Sequence, residues 1–428
     1  MDTTPFHLIL FALDIVLLGC ILLWLRFRRS TSSSAVYQFE KSLYVDTAAP
    51  VRLPSLRWDL SGIILFGGLG LLFFAALSRT IRTGFVQQNI YHFNAGQCVV
   101  EGIAVHGTLF LAGVAVILCY YRRHWLAIPF ACFALFLAGL GFNVIYWEPY
   151  RLKVEYYEIK TSKVKSPIRI VFVSDIQTDR IGSHEINTLK KIQQQNADLI
   201  ILGGDYIQTY YKEQDEELPE KFRQMLLDYP LEAPLGVFAI EGNIGFNHQL
   251  FEGTNIEFVR RSEIHDYLGE NKGKGPIDLV LLSLMDSRGD VGDRGLTDSG
   301  NFIVMAGHFP TYAVDGHKSP RSGVVRSGYR DAVRAPDLML AGHTHGGQII
   351  IPFYGPVPPG TSIPFFGHLT SENEYAEQVP REMWSGFFTY PNGGRLLITR
   401  GSGMERGWAP RIRLFCPSEI SVIDIVPE

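Results

Sequence analysis

Four runs within the first 150 residues of this 428-residue chain, about 6–25, 60–77, 99–120 and 125–147, are each apolar for close to the 20 or so residues that a helix needs to cross a hydrocarbon core. Charge is thin there: 17 of the 82 Asp, Glu, Lys and Arg residues lie in 1–150 and 65 in 151–428. The sequence therefore predicts a membrane region of four transmembrane helices over 1–150 and a soluble domain over 151–428. The first run starts after Asp2, not after a basic segment, and Arg26, Arg28 and Arg29 follow it, so it reads as a retained anchor.

Lys and Arg collect in short cytoplasmic loops. The connection after the first run holds Arg26, Arg28, Arg29, Lys41, Arg52 and Arg57, and that after the third holds Arg122 and Arg123, against only Arg79 and Arg82 after the second. Both termini and the whole soluble domain are thus expected outside the cytoplasm. Asp14, His106 and Asn143 lie inside the apolar runs and read as hydrogen-bonding glue between helices. A hydrophobic content of 46% excludes a disordered chain, and a net charge of −4 removes the basic excess of a nucleic-acid binder. Of the five cysteines only Cys416 lies in the soluble part, so no disulfide framework is expected there.

From Ile168 the pattern changes to short apolar runs that each end in small and polar residues. IRIVFVSD ends in Asp175, ADLIILGGD in Asp205, LGVFAIEGN in Asn243, NFIVMAGH in His308, and DLMLAGHTH in His343 and His345. Between the first two, His184–Gln195 has helical spacing, and a helical crossover between buried strands implies parallel pairing. Parallel strands release their final residues at one sheet edge, where open α/β sheets place ligands.

The succession D-x-[HQ], GD, GN, GH and GHxH resembles the calcineurin-like metallophosphoesterases, with GHTHGGQI (Gly342–Ile349) its most specific element. The ending ITRGSGMERGWAPRIRLFCPSEISVIDI is similar to a subgroup of transmembrane proteins with a metallophosphoesterase domain. The resemblance implies an α/β fold, a four-layer α/β/β/α sandwich, and two divalent metal ions drawn from Mn, Fe, Zn or Mg. One metal would take Asp175, Gln177, Asp205 and His345, the other Asp205, Asn243, His308 and His343, with Asp205 shared. No cysteine is available for a thiolate site.

Two positions depart from that pattern. Gln177 stands where most members have His, and Ile244 stands where the usual GNH motif has a His that steadies the transition state and assists the leaving group. His248, four residues on, is the candidate to take that catalytic place, and an ordinary loop histidine is the alternative. His184, His265, His317 and His368 fall outside the motif and read as surface residues. Residues 206–234, 259–276 and 365–384 lack strand pattern and are expected to rim the site, and Phe353, Tyr354, Phe365 and Phe366 read equally as an apolar lip for acyl chains or as buried loop packing.

The expected protein is a membrane-anchored phosphoester hydrolase, a multi-pass protein of a bacterial cytoplasmic membrane with its catalytic domain facing outward. Its expected substrate is a phosphate ester or pyrophosphate, lipid-linked or an envelope precursor, met at the lipid bilayer and not on nucleic acid. The rival is a non-catalytic metal-binding membrane receptor or scaffold that kept the fold and lost the GNH histidine.

Overall fold

The computed structural model describes residues 68–70, 73, 97, 100–208, 212–244, 248–268, 276–290, 300–314, 336–356, 362–363, 367–368, 379–391, 393–405 and 411–428. These fall into two compact units, one of Met1–Val86 with Cys98–Phe142, the other of Gln87–Gln97 with Asn143–Glu428. In the first unit α1 (Thr108–Tyr120) and α2 (His124–Phe142) pack through Val114, Ala115, Ile117, Leu118 and Ala127. Among the described residues two stretches are long and apolar enough to cross a membrane, Val100–Tyr120 and His124–Tyr150, each with mean hydropathy 2.1. They coincide with the third and fourth expected spans to within a few residues. The first span lies outside the described residues, as does nearly all of the second.

The second unit contains β1 (Lys153–Thr161), β2 (Ile168–Val173), α3 (Ser183–Gln193), β3 (Leu199–Leu202), α4 (Lys212–Asp228), β4 (Val237–Ile240), β5 (Glu257–Val259), β6 (Glu263–Leu268), β7 (Ile277–Leu281), β8 (Phe302–Gly307) and β9 (Leu338–Ala341). Beyond these come three antiparallel pairs and one longer strand. The former are β10 (Ile350–Ile351) with β11 (Gly355–Pro356), then β12 (Ser362–Ile363) with β13 (Gly367–His368), and β14 (Gly386–Thr389), which pairs with β15 (Arg395–Ile398); β16 (Glu419–Pro427) closes the chain.

Two six-stranded mixed sheets result, ordered β1-β16-β2-β3-β4-β5 and β14-β15-β9-β8-β7-β6. Strands β2, β3 and β4 are parallel, as are β7, β8 and β9. Alternation along each strand divides the core into layers. Val171, Val173, Ile200 and Leu202 pack under α3 and α4 with Leu189, Ile192, Phe222 and Met225. Their neighbours Ile170, Phe172, Leu199 and Ile201 point the other way, against Leu279, Val304, Leu338 and Leu340 of the second sheet. The outer face of that sheet, with Val280, Met305, Met339 and Leu396, is met by Tyr312, Val379 and Trp384. Among the described residues its cover consists of the 3-10 turns Pro310–Ala313 and Arg381–Met383. Helix, sheet and sheet are thus seen, and an α layer over the second sheet is not among them.

Two expected rim segments carry regular structure: 206–234 contains α4, and 259–276 contains β6, whose His265 and Ile264 sit opposite Leu279 and Val280. The run E-I-H-D-Y-L is too polar to show strand alternation, and edge pairing with β7 supplies what composition lacks. Nor is His184 a surface residue: its Nε2–H donates to the Ser402 carbonyl at 3.0 Å, and its ring meets Tyr150 edge-on. His265 packs its ring on Phe238 and is largely enclosed. His317, Phe365 and Phe366 lie outside the described residues, as does the side chain of His368.

Candidate metal centre

Parallel pairing carries β2 and β3 to the same edge, and beyond their ends the two chains stay joined. Asp175 N–H donates to Gly204 O at 3.0 Å, and Gln177 N–H to Asp205 O at 2.8 Å. The backbone turns sharply there: Asp175, Gln177, Asp205, His343 and His345 all have positive φ, between 34° and 70°. Non-glycine residues avoid that region, and such strain concentrates where side chains must be aimed at a site. Gly342 exists for a related reason, because a Cβ there would lie 2.1 Å from Ser174 Oγ.

These turns bring seven expected residues together. Ligand atoms of Asp205, His308 and His343 lie within 4.8 Å of one another. Asn243 Oδ1 lies 2.8 Å from His308 Nε2 and 3.1 Å from His343 Nδ1. Asp205 accepts from Ile244 N–H on Oδ1 at 2.8 Å and from Gln177 Nε2 on Oδ2 at 3.0 Å. His345 Nε2 stands 3.6 Å from Asp175 Oδ1, and both Asp175 oxygens accept from His343 N–H at 3.1 and 3.0 Å. Asp175, Gln177, Asp205, His308 and His345 are buried; Asn243 and His343 are half-buried. His248 opens a 3-10 turn, His248–Phe251, and its side chain lies outside what is described.

The donor set fits hard divalent cations. His308 Nδ1 gives its proton to Gly203 O at 2.8 Å, which leaves Nε2 to face two oxygens, Asn243 Oδ1 and Asp205 Oδ2, the latter at 3.3 Å. Only a proton or a cation reconciles a ring nitrogen with two acceptors. Burial opposes charging that ring, but Asp205 and Asp175 outweigh burial and push its pKa to about 9. Burial, aided by the Arg413 and His308 charges, holds His345 well below the usual histidine range, so it presents a neutral imidazole. Burial lifts Asp175 to about 6 despite His308 beside it. Gln177 Oε1 is buried and has no hydrogen-bond partner among the described residues, which leaves an amide oxygen able to serve a cation.

Residues 168–347 match the family model of the calcineurin-like phosphoesterases. They form a calcineurin-like phosphoesterase domain. Relatives include a metallophosphoesterase of Aquifex aeolicus, 29% identical over 51% of this chain and 80% of its own, and the metallophosphoesterase YkuE of Bacillus subtilis, 26% identical over 71% and 97%. The UDP-2,3-diacylglucosamine pyrophosphatase LpxG of Chlamydia trachomatis is 24% identical over 60% of this chain and 83% of its own. A solved dimetal phosphatase from Danio rerio aligns with 56% of this chain and 88% of its own at 9% identity and a TM-score of 0.30, too weak to define a common fold. The chain is accordingly a metal-dependent phosphoester hydrolase.

Beyond its motif residues, this phosphoesterase domain recruits a segment that strand-end reasoning overlooks. Residues 402–405 run along the strand ends, with Ser402 N–H on Ser174 O at 3.0 Å and Gly403 N–H on Asp175 O at 2.8 Å. Arg413, wholly buried, fastens this segment by donating to the carbonyls of Gly403, Cys416 and Arg400 at 3.1, 2.9 and 2.8 Å. Gln97 Nε2 and Gln348 Nε2 both donate to Glu405 O, at 2.8 and 2.9 Å. The Glu405 carboxyl is buried, and burial together with Asp205 and Asp175 raises it to about 8, so it carries a proton at neutral pH. The run GSGMERGWAPRIR holds these residues, but nothing in its spacing distinguishes Glu405 or Arg413 from surface charge.

Proposed function

We propose that Asp175, Gln177, Asp205 and His345 hold one divalent cation, that Asp205, Asn243, His308 and His343 hold a second, and that the enzyme uses them to hydrolyse a phosphate ester or pyrophosphate of an amphiphile. The observation that carries this reading is the Asp205 carboxylate, whose Oδ2 meets both Gln177 Nε2 at 3.0 Å and His308 Nε2 at 3.3 Å, one from each of the two ligand groups. Two such cations, when bound, would clamp a phosphate and activate water for attack at neutral pH. The chain's own part is orientation. Gly203 O fixes the His308 tautomer, Ile244 N–H aims Asp205, and His343 N–H holds Asp175. The Ile244 side chain offers no proton, so a departing alkoxide receives no acid from that position.

Membrane anchorage is part of the proposal. It is supported by the two apolar stretches and by the exposure of Trp125, Ile128, Phe133, Leu135 and Phe136 on α2, which lipid tolerates and water does not. An amphiphilic substrate is supported by that anchorage and by the activity in the name of the chlamydial relative. An outward-facing domain remains part of the same reading, resting on the loop charges, and it disfavours a sugar-nucleotide substrate, which is met in the cytoplasm.

The test is metal analysis of the purified full chain, with hydrolysis of aryl phosphomonoesters, phosphodiesters and lipid phosphates in bilayers. Two metals per chain and activity abolished by chelation are expected. Saturation at fewer than two metals with full activity overturns the ligand assignment.

A further inference from the structure

The hairpin that follows the histidine pair presents an apolar tip that no described residue covers. Strands β10 and β11 are joined through Pro352, Phe353 and Tyr354, and all four residues from Ile351 to Tyr354 are exposed. Phe353 has a relative exposure of 112%, the highest among the large apolar side chains described. It is also held at φ 67°, a conformation that turns commonly assign to Gly or Asn. The tip is not loose: the Arg381 guanidinium stacks on the Tyr354 ring at 4.6 Å and donates to Tyr354 O at 2.6 Å. An aromatic kept rigid and fully outward has a use outside the folded chain.

Hydrogen bonds show where the root of this hairpin lies. Ile349 bridges Leu414, and Ile350 N–H donates to Leu414 O at 2.9 Å, while Leu414 N–H donates to Gln348 O at 3.0 Å. The adjacent Arg413 N–H donates to Val144 O at 3.3 Å. Val144 belongs to the turn Asn143–Trp147 that ends the apolar stretch His124–Tyr150. In that turn Tyr146 and Trp147 are 67% and 57% exposed. Exposed Tyr and Trp at the end of an apolar helix mark the membrane-water interface. Two residues, Arg413 and Leu414, therefore separate the hairpin root from that turn, and the tip reaches at most about 13 Å farther along four extended residues. On its other side the same root leads through Gly347 directly to His345.

We propose that the Ile351–Tyr354 hairpin dips its apolar tip into the headgroup region of the bilayer, at the level of the Asn143–Trp147 turn, and so holds the metal centre at the membrane surface where an amphiphilic phosphate presents its headgroup. The occupant is lipid, and the inference rests on the reading that 124–150 spans a membrane. Phe353 supplies the inserted ring. Arg381 stays at the interface, its charge free to meet lipid phosphate while its plane supports Tyr354.

Photocrosslinking of the full chain in proteoliposomes tests this without reference to activity. p-Benzoylphenylalanine is installed singly at Phe353, at Phe136 on the exposed side of α2, and at Tyr156 on β1, and lipid adducts are counted by mass spectrometry after irradiation. Adducts at positions 136 and 353, about tenfold or more above those at 156 as expected for a ring transferred into an apolar phase, are the predicted result. Adducts at 136 with only background at 353 overturn the hairpin insertion and leave the membrane reading standing. Background at both overturns the membrane reading as well.

Discussion

Gly242→Ala tests how far the metal centre depends on backbone crowding. A Cβ at Gly242 would lie 2.2 Å from both the amide nitrogen and Oδ1 of Asp205, where real Cβ contacts begin near 3.0 Å. Something must therefore yield by close to an ångström, and the neighbour is backbone and the shared carboxylate, not a flexible side-chain end. The Ile244 N–H bond to Oδ1, 2.8 Å long, is the first interaction stretched. A hydrogen bond to a charged acceptor is worth about 1.5–3 kcal/mol, and overpacking of a filled site costs about 1–3 kcal/mol. A misplacement of this size near reacting atoms lowers turnover by about 10²-fold. The measurements are kcat/KM on an aryl phosphate, metal content after dialysis, and the thermal midpoint. Gly253→Ala is the control, since its φ of 75° imposes strain but no atom lies within 4 Å of its Cβ. It should cost stability of about 1 kcal/mol without loss of metal. If Gly242→Ala keeps its metals and its kcat/KM within about threefold of wild type, so that no ångström-scale misplacement has occurred, the idea that Gly242 sets the Asp205 position is wrong.

Asp205→Asn should remove hydrolysis and much of the bound metal together, because a neutral amide cannot offset two cations and has only one oxygen for the donors Ile244 N–H and Gln177 Nε2; His265→Ala should keep both, and equal metal content in wild type and Asp205→Asn sinks the assignment. In the metal-free protein the His308 imidazolium contributes stability that is complete below pH 6.5 and is lost as pH rises through about 9. Metal uptake near pH 7 must therefore expel that proton, and with Glu405 near 8 calorimetry in buffers of differing ionisation enthalpy should find about one to two protons released; no release would contradict His308 as a ligand. With isoleucine at position 244, aryl phosphates should be cleaved far faster than alkyl ones, and Ile244→His should speed the alkyl substrate by about 10²-fold or more, an outcome refuted if alkyl and aryl rates change equally.

Strand ends were the most legible part of this chain. The runs before Asp175, Asp205, Asn243, His308 and His343 are apolar on both faces and short, as buried strands are, and buried parallel strands deliver their last residues to one edge. The expected helix over 184–195 appears as α3 for the same reason: Leu189 and Ile192 lie on one face and bury there. The apolar stretches near 100–120 and 124–150 were equally plain from hydropathy. Periodicity assigns a residue to a face and says nothing of which strand lies beside it, so the order of strands within each sheet, and the insertion of β16 between β1 and β2, came only with the tertiary structure. Pairing across more than 250 residues, as between Ile425 and Ile168, is decided by the shape of the filled core and not by local preference. The same holds for Arg413 and Glu405. In sequence they are ordinary charges, and only folding takes them out of water, gives the guanidinium three carbonyls, and sets a protonated carboxyl beside Asp175 and Asp205.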